Sequence, residues 1–188
     1  LVFFHDILVY SKYFQDHITH LNIIFQLLRS HEFYANPDKC EFLQIDLSFL
    51  GHVISAKGVQ VDPDKISAID KWPLPNDISE LRGFLGLSGY YRRFIKNYGQ
   101  IAKPLTDMTK KDGFKWDGNS LAAFQNLQQA LTHAPVLHLP DFFKKFIVEC
   151  DASSLGIGAV LHQEGHPIAF YSKGLSPMKQ KASVYVMQ

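Results

Sequence analysis

Charge of either sign is nearly balanced: 19 Lys and Arg against 18 Asp and Glu leave a formal net charge of +1. Bulk electrostatics therefore lend nothing to the binding of a polyanion, and any basic surface has to be local. Cysteine is scarce. Cys40 and Cys150 stand far apart and in no metal-ligand spacing, and they are expected as free, buried thiols of a reducing compartment. No apolar run approaches the roughly 20 residues of a membrane span, so no membrane partner is expected. There is no internal repeat. Neither a methionine nor a basic leader opens the chain, and Leu1-Val2-Phe3-Phe4 reads as a chain cut inside a strand.

What remains is a chain of 188 residues, 46% hydrophobic and 20% charged. That is a soluble globular composition, long enough for one large domain or two small ones around a real core. Residues 1–4 and 7–11 read as two short strands around a polar His5-Asp6 tip. Ile18, Leu21, Ile24, Phe25 and Leu28 share one face of a helix over 16–30, with Asp16 as its N-cap. Asn36-Pro37-Asp38 is a turn. The segment 46–55 reads as a hairpin strand closed by Lys57-Gly58.

From residue 62 the pattern becomes helical. Asp62-Pro63 starts a helix that runs to Trp72 and stops at Pro73. Asp77 caps a second helix over 78–89, and a third piece comes around 99–109. Lys110-Lys111-Asp112-Gly113 reads as a linker, and residues 118–132 as one more amphipathic helix. After Pro140 the strands return at 146–150, 156–162 and 167–172, with a turn at Glu164-Gly165. Three consecutive strands with tight turns predict an antiparallel meander.

Asp151 is the first candidate for chemistry. It ends a strand expected to be buried and precedes small residues, so its carboxylate is open to a metal ion and a phosphate; an ordinary turn aspartate reads the same way. Magnesium needs several converging oxygens of this kind. Asp6, at a hairpin tip between apolar strands, is the second, with the same plain alternative. His5 beside it is a lone imidazole without a ligand cluster. Tyr90, Tyr91, Arg92 and Arg93, with Arg82 upstream, form an aromatic-basic patch. Such a patch suits a nucleic-acid backbone, guanidinium on phosphate and ring on sugar or base, or else a helix end with snorkelling side chains. His17 and His20 lie three apart on a helix with no third ligand in view, as a solvated face would.

In order along the chain, these motifs resemble the Pol polyprotein of gypsy-type LTR retrotransposons. Phe3-Phe4-His5-Asp6-Ile7-Leu8-Val9-Tyr10-Ser11 is similar to the reverse transcriptase hairpin. His17…His20-Leu21, Lys39-Cys40-Glu41-Phe42 and Phe49-Leu50-Gly51-His52 are similar to the palm segments downstream of that hairpin. Val61-Asp62-Pro63-Asp64-Lys65 with Trp72-Pro73 resembles the thumb entry. The most diagnostic run is Leu81-Arg82-Gly83-Phe84-Leu85-Gly86-Leu87 with Tyr90-Tyr91-Arg92-Arg93-Phe94-Ile95. Ala134-Pro135-Val136-Leu137 and Asp151-Ala152-Ser153…Gly156-Ile157-Gly158-Ala159-Val160-Leu161 resemble the connection and the opening of an RNase H domain.

The resemblance implies an α+β fold in pieces: a palm remnant over 1–58, a thumb over 59–112, a connection over 113–143, and the first strands of an RNase H-like mixed sheet over 144–188. It implies RNA-directed DNA polymerase and ribonuclease H chemistry with Mg2+ or Mn2+, acting on a template-primer duplex, an RNA/DNA hybrid and dNTPs. The rest of the Pol polyprotein is the implied partner, in a cytoplasmic particle or the nucleus. By position, Asp6 matches the second hairpin aspartate and Lys39 a lysine near the nucleotide site. Phe49, Leu50, Gly51 and His52 match the primer grip. Arg82 and Tyr90, Tyr91, Arg92 and Arg93 match the thumb region that tracks the duplex, and Asp151 the first RNase H carboxylate.

Two departures matter. His5 stands where the family carries its first hairpin aspartate, and a neutral imidazole cannot replace a hard anionic oxygen on magnesium. After Tyr185 the family reads Glu, basic, Glu, whereas this chain reads Val186-Met187-Gln188. The upstream palm aspartate is expected before Leu1. The sequence therefore predicts a segment inactive by itself; the competing expectation is a degenerate, non-catalytic remnant that binds nucleic acid or is purely structural.

Overall fold

The computed structural model describes residues 1–153 and 156–175. The expected RNase H helix from Lys179 onward, with Val186-Met187-Gln188, lies outside the described residues. The chain forms two compact units, Leu1–Ile45 and Asp46–Gln188.

In the first unit, β1 (Val2–Phe3) pairs antiparallel with β2 (Asp6–Ile7), Phe3 opposite Asp6. The hairpin is shorter than the sequence suggests. The turn is Phe4-His5, with Phe4 at φ 50°, so Asp6 belongs to a strand rather than to the tip. Helix α1 spans Phe14–Ser30. Its N-cap is Tyr13 and no side chain caps it; Asp16, expected as the cap, sits inside the first turn, where its charge favours the positive end of the helix dipole. A 3-10 turn covers Pro37–Lys39, tied by Asn36 Oδ1 accepting from the Asp38 amide. Among the described residues of this unit only Leu8 is buried, and Phe4, Tyr34 and Ile45 are each at least 85% exposed. The apolar stripe of α1 is real but covers no core here.

The second unit opens with a meander rather than the single strand expected over 46–55: β3 (Leu47–Phe49), β4 (His52–Ser55) and β5 (Gly58–Val61), in that order. Leu50-Gly51 forms a turn that a reading of residue types alone does not reveal. Val59 and Leu137 exchange both backbone hydrogen bonds at 2.8 Å. Gly58, at φ 135°, lies so close to the Leu137 carbonyl that no side chain fits.

Helices α2 (Pro63–Asp70), α3 (Ile78–Tyr90), α4 (Tyr98–Ile101), α5 (Lys103–Met108) and α6 (Gly118–Thr132) build the core. Asp62 and Asp77 cap α2 and α3 as expected, accepting from the Asp64 and Glu80 amides. The third helical piece is two short helices instead of one. Ile69, Leu81, Phe84, Leu105, Leu127 and Leu131 are fully buried together, and the Phe84 and Phe124 rings stand 4.5 Å apart. The loose carbonyls at the end of α2 find a donor in Gln128, whose amide reaches Ile69 O at 2.9 Å and Trp72 O at 3.2 Å.

The last three strands, β6 (Ile147–Ala152), β7 (Gly156–Gln163) and β8 (His166–Gly174), make the expected antiparallel meander, with β7 central. It docks closely on the backbone of α4: the Gly99 amide donates to the Ser172 side chain, at Oγ, over 2.7 Å, and a Cβ on Gly99 would stand 3.1 Å from Ser172 O. Phe170 packs against the helical core. No helix among the described residues is long and apolar enough to cross a membrane. Cys40 is half-buried and Cys150 exposed, against the expectation of two buried thiols; Cys150 lies on β6, which among the described residues pairs only with β7.

Candidate nucleic-acid interface

The two-residue turn between β3 and β4 has both central residues at positive φ, Leu50 at 50° and Gly51 at 71°. That backbone matches the twist of a tight hairpin. Glycine accepts it freely, whereas a γ-branched leucine does so at a cost of about 1–3 kcal/mol. Such strain persists only where the surroundings fix it, and here they do. The Tyr90 hydroxyl donates to Leu50 O at 2.8 Å and the Tyr91 hydroxyl to Gly51 O at 2.8 Å. The Asp62 amide adds a second bond to Gly51 O at 3.2 Å. His52 Nδ1 lies 2.8 Å from Leu50 O, which assigns its proton to that nitrogen.

These hydrogen bonds join two motifs that the sequence shows only separately. Tyr90 is the last residue of α3 and Tyr91 its C-cap, so consecutive side chains leave the helix end toward consecutive carbonyls. They differ in exposure: Tyr91 is 1% exposed and Tyr90 53%. Burial, then the neighbouring Tyr90 and Asp62, push the Tyr91 hydroxyl up to about 12, so it remains a donor at any ordinary pH. A Cβ on Gly51 would stand 2.7 Å from the Tyr91 oxygen. Glycine is thus required here by both conformation and space.

The His52 ring lies in an aromatic cage, 5.4 Å from Tyr90 and Tyr91 and 5.6 Å from Phe94. Burial first and the Arg93 charge second lower its pKa, against hydrogen bonds to the Leu50 and Phe49 carbonyls and the charge of Asp62. It is a neutral packing residue. Phe49, on β3, is half-buried. The expectation that Tyr91 presents its ring to sugar or base is corrected: the ring is core, and only Tyr90 has an open face. Arg93 lies 5.1 Å from the Phe94 ring centroid, and burial lowers its pKa without discharging it. Arg82, within α3, and Arg92 and Lys96, just after it, are exposed, on a chain of almost no net charge.

The other predicted positions lie on other elements, each with its own contacts. Asp6 has His5 Nε2 at 3.9 Å, both side chains being exposed. Lys39 is exposed in its 3-10 turn. His17 and His20 both turn Nδ1 toward Ser11 Oγ, at 3.3 and 2.7 Å; residue types alone do not single out that serine, which organises the pair. Asp151 lies on β6 opposite Gly158. Its strand, expected to be buried, is exposed, with Val148 at 60%. Glu149 shares the face of Asp151 by strand alternation, but its carboxylate reaches His162 Nε2 at 3.3 Å. Among the described residues no three metal-binding side chains converge. Asp6 and Asp151 each bring one carboxylate, in separate units, where a hard divalent ion needs several oxygens. These residues do not by themselves fit a two-metal centre.

Residues 116–188 match the model of an RNase H-like domain found in reverse transcriptase. The chain is 43% identical over 179 residues to the retrovirus-related Pol polyprotein from transposon 297 of Drosophila melanogaster, covering 94% of this chain and 17% of that protein. It is 35% identical to the Pol polyprotein from transposon gypsy of the same organism, over 95% of this chain and 19% of that one. It thus spans less than a fifth of these polyproteins. An uncharacterized mitochondrial protein of Arabidopsis thaliana, AtMg00860, is 48% identical over 69% of this chain and 84% of its own length. In fold, the chain is similar to the foamy viral protease-reverse transcriptase solved with double-stranded DNA, at a TM-score of 0.83 and 24% identity, over 93% of this chain and 32% of that one. The same viral protein solved with an RNA/DNA hybrid gives 0.83 and 23%, over 93% and 24%.

Proposed function

The chain belongs to the reverse transcriptase and RNase H-like region of gypsy-type retrotransposon Pol polyproteins, and from that premise we propose that it forms the thumb-side wall of a template-primer cleft and binds the duplex without polymerising on its own. The family is that of RNA-directed DNA polymerases. The observation that carries the reading is the Leu50-Gly51 turn, held strained by the hydroxyls of Tyr90 and Tyr91, with the Arg93 charge near enough to act on His52 and with Arg92 and Lys96 exposed just after α3. A rigid turn next to long cationic side chains suits a duplex end: the arginines neutralise phosphates and the turn sets where the strand stops.

In this reading residues 1–58 complete the palm, 59–112 the thumb, 113–143 the connection and 144–188 the start of an RNase H-like mixed sheet. Asp6 and Lys39 take palm positions, and Asp151 that of the first RNase H carboxylate. The duplex is a DNA or RNA/DNA one, as in the viral structures. His5 beside Asp6 argues against polymerisation by this chain, because imidazole offers magnesium no anionic oxygen.

The test is a titration of the purified chain into a labelled duplex with a recessed 3′ end, monitored by fluorescence anisotropy. Saturable binding that is lost when Arg82, Arg92 and Arg93 are changed together to Ala is expected. Binding that survives this triple change, or no binding by the parent chain, contradicts the reading.

A further inference from the structure

We propose that Tyr91 is a positioning residue for the duplex terminus: its buried hydroxyl sets the height of the Leu50-Gly51 turn, and thereby the placement of the last base pair, while touching no nucleic acid itself. The inference rests on the reading of that turn as a duplex contact. Tyr91 is 1% exposed, so no ligand reaches it. Its hydroxyl crosses 40 residues of sequence to the Gly51 carbonyl at 2.8 Å. Gly51 has no side chain to lean on, and its backbone at φ 71° is one that a free chain leaves readily. The hydroxyl therefore works as a stop: 2.7 Å from where a Cβ would be, it keeps the turn from collapsing inward, and by hydrogen bonding it keeps the turn from lifting away.

The division of labour with Tyr90 comes from exposure. Tyr90 is half open to solvent and can meet a ligand directly. Tyr91 can act only indirectly, through the Gly51 carbonyl, the His52 ring at 5.4 Å and the Tyr90 ring at 4.9 Å, and of these only the Gly51 bond depends on its hydroxyl. Removing its hydroxyl leaves the Asp62 amide on Gly51 O and the His52 bond to Leu50 O. The fold persists, and the turn gains freedom. A net hydrogen bond is worth about a two- to tenfold change in the population of the pinned turn.

The experiment uses the full chain and a recessed duplex carrying 2-aminopurine either at the primer 3′ terminus or deep in the duplex. The parent chain should change the terminal signal more than the interior one. Tyr91→Phe should return the terminal signal toward that of free duplex, while the interior signal and the salt dependence of binding, both carried by the arginines, stay as they were. A chain with 3-fluorotyrosine at position 91 keeps ring and hydroxyl and should restore the terminal signal. An unchanged terminal signal in Tyr91→Phe overturns the positioning role and leaves the duplex reading intact. Loss of terminal signal, affinity and thermal stability together, with no rescue by fluorotyrosine, makes Tyr91 merely structural and also overturns it. A parent chain that binds but shows no terminal signal overturns both the role and the contact it depends on.

Discussion

The hydroxyl of Tyr91 and the carbonyl oxygen of Gly51 stand 2.8 Å apart across 40 residues of chain, and the tyrosine fits there only because residue 51 has no side chain. Gly51 leaves room for the tyrosine oxygen, and the tyrosine occupies the space a Cβ would need. Changing Gly51 to Ala should destabilise the chain by more than about 1 kcal/mol, since alanine is strained at positive φ, and Tyr91→Phe by about 0.5–1.5 kcal/mol for the missing hydrogen bond. The double change should cost less than the sum, because removing the hydroxyl frees the space the methyl fills. Thermal unfolding of the four proteins in the cycle measures this; strict additivity would deny the close fit.

His52 gives the turn a pH dependence of definite sign. Its pKa is lowered from 6.5 in the folded chain, by burial first, so the unfolded chain binds the proton more readily. The stability this contributes is present above pH 6.5 and is lost as pH falls toward the folded value. Urea midpoints of the parent chain should drop on acidification more than those of His52→Gln. Equal slopes for the two proteins, which share every other histidine, would place the acid sensitivity elsewhere.

Duplex binding should weaken steeply with salt. Each phosphate neutralised by a cationic side chain contributes about 0.9 to the log–log slope. Replacing Arg92 and Arg93 by Ala should therefore flatten the slope by about 0.9 for each phosphate no longer neutralised. An unchanged slope would mean that these guanidiniums meet no phosphate.

Primer extension by the isolated chain should be absent with magnesium and with manganese. The comparison is the His5→Ala, Asp6→Ala double variant. Extension by the parent chain above that background would contradict the expectation drawn from His5.

Much of the helical half is legible in the sequence because its signals are local. Asp62-Pro63 and Asp77 announce their helices through caps, and residues 118–132 through periodicity alone; the structure returns α6 over Gly118–Thr132. The β6–β8 meander is announced by short β-branched runs around Glu164-Gly165. The Leu50-Gly51 turn is not legible as a turn, because leucine at positive φ has no local cause: the cause is a pair of hydroxyls from the end of α3. Likewise Asp16 looks like a cap on residue type, but the cap of α1 is Tyr13, three residues earlier. The exposure of β6 and of the first unit escapes sequence patterning as well, since a strand rich in Phe, Ile and Val reads as buried whether or not anything covers it.

The most direct test of the account is photo-crosslinking from a duplex with 4-thiothymidine at the recessed primer terminus, with mass-spectrometric mapping of the attached peptides. The account predicts adducts on the Phe49–His52 turn and on the exposed end of α3 around Tyr90, and none on buried Tyr91. Adducts confined to the first unit or to the β6–β8 meander, with the turn and α3 unmarked, would contradict it.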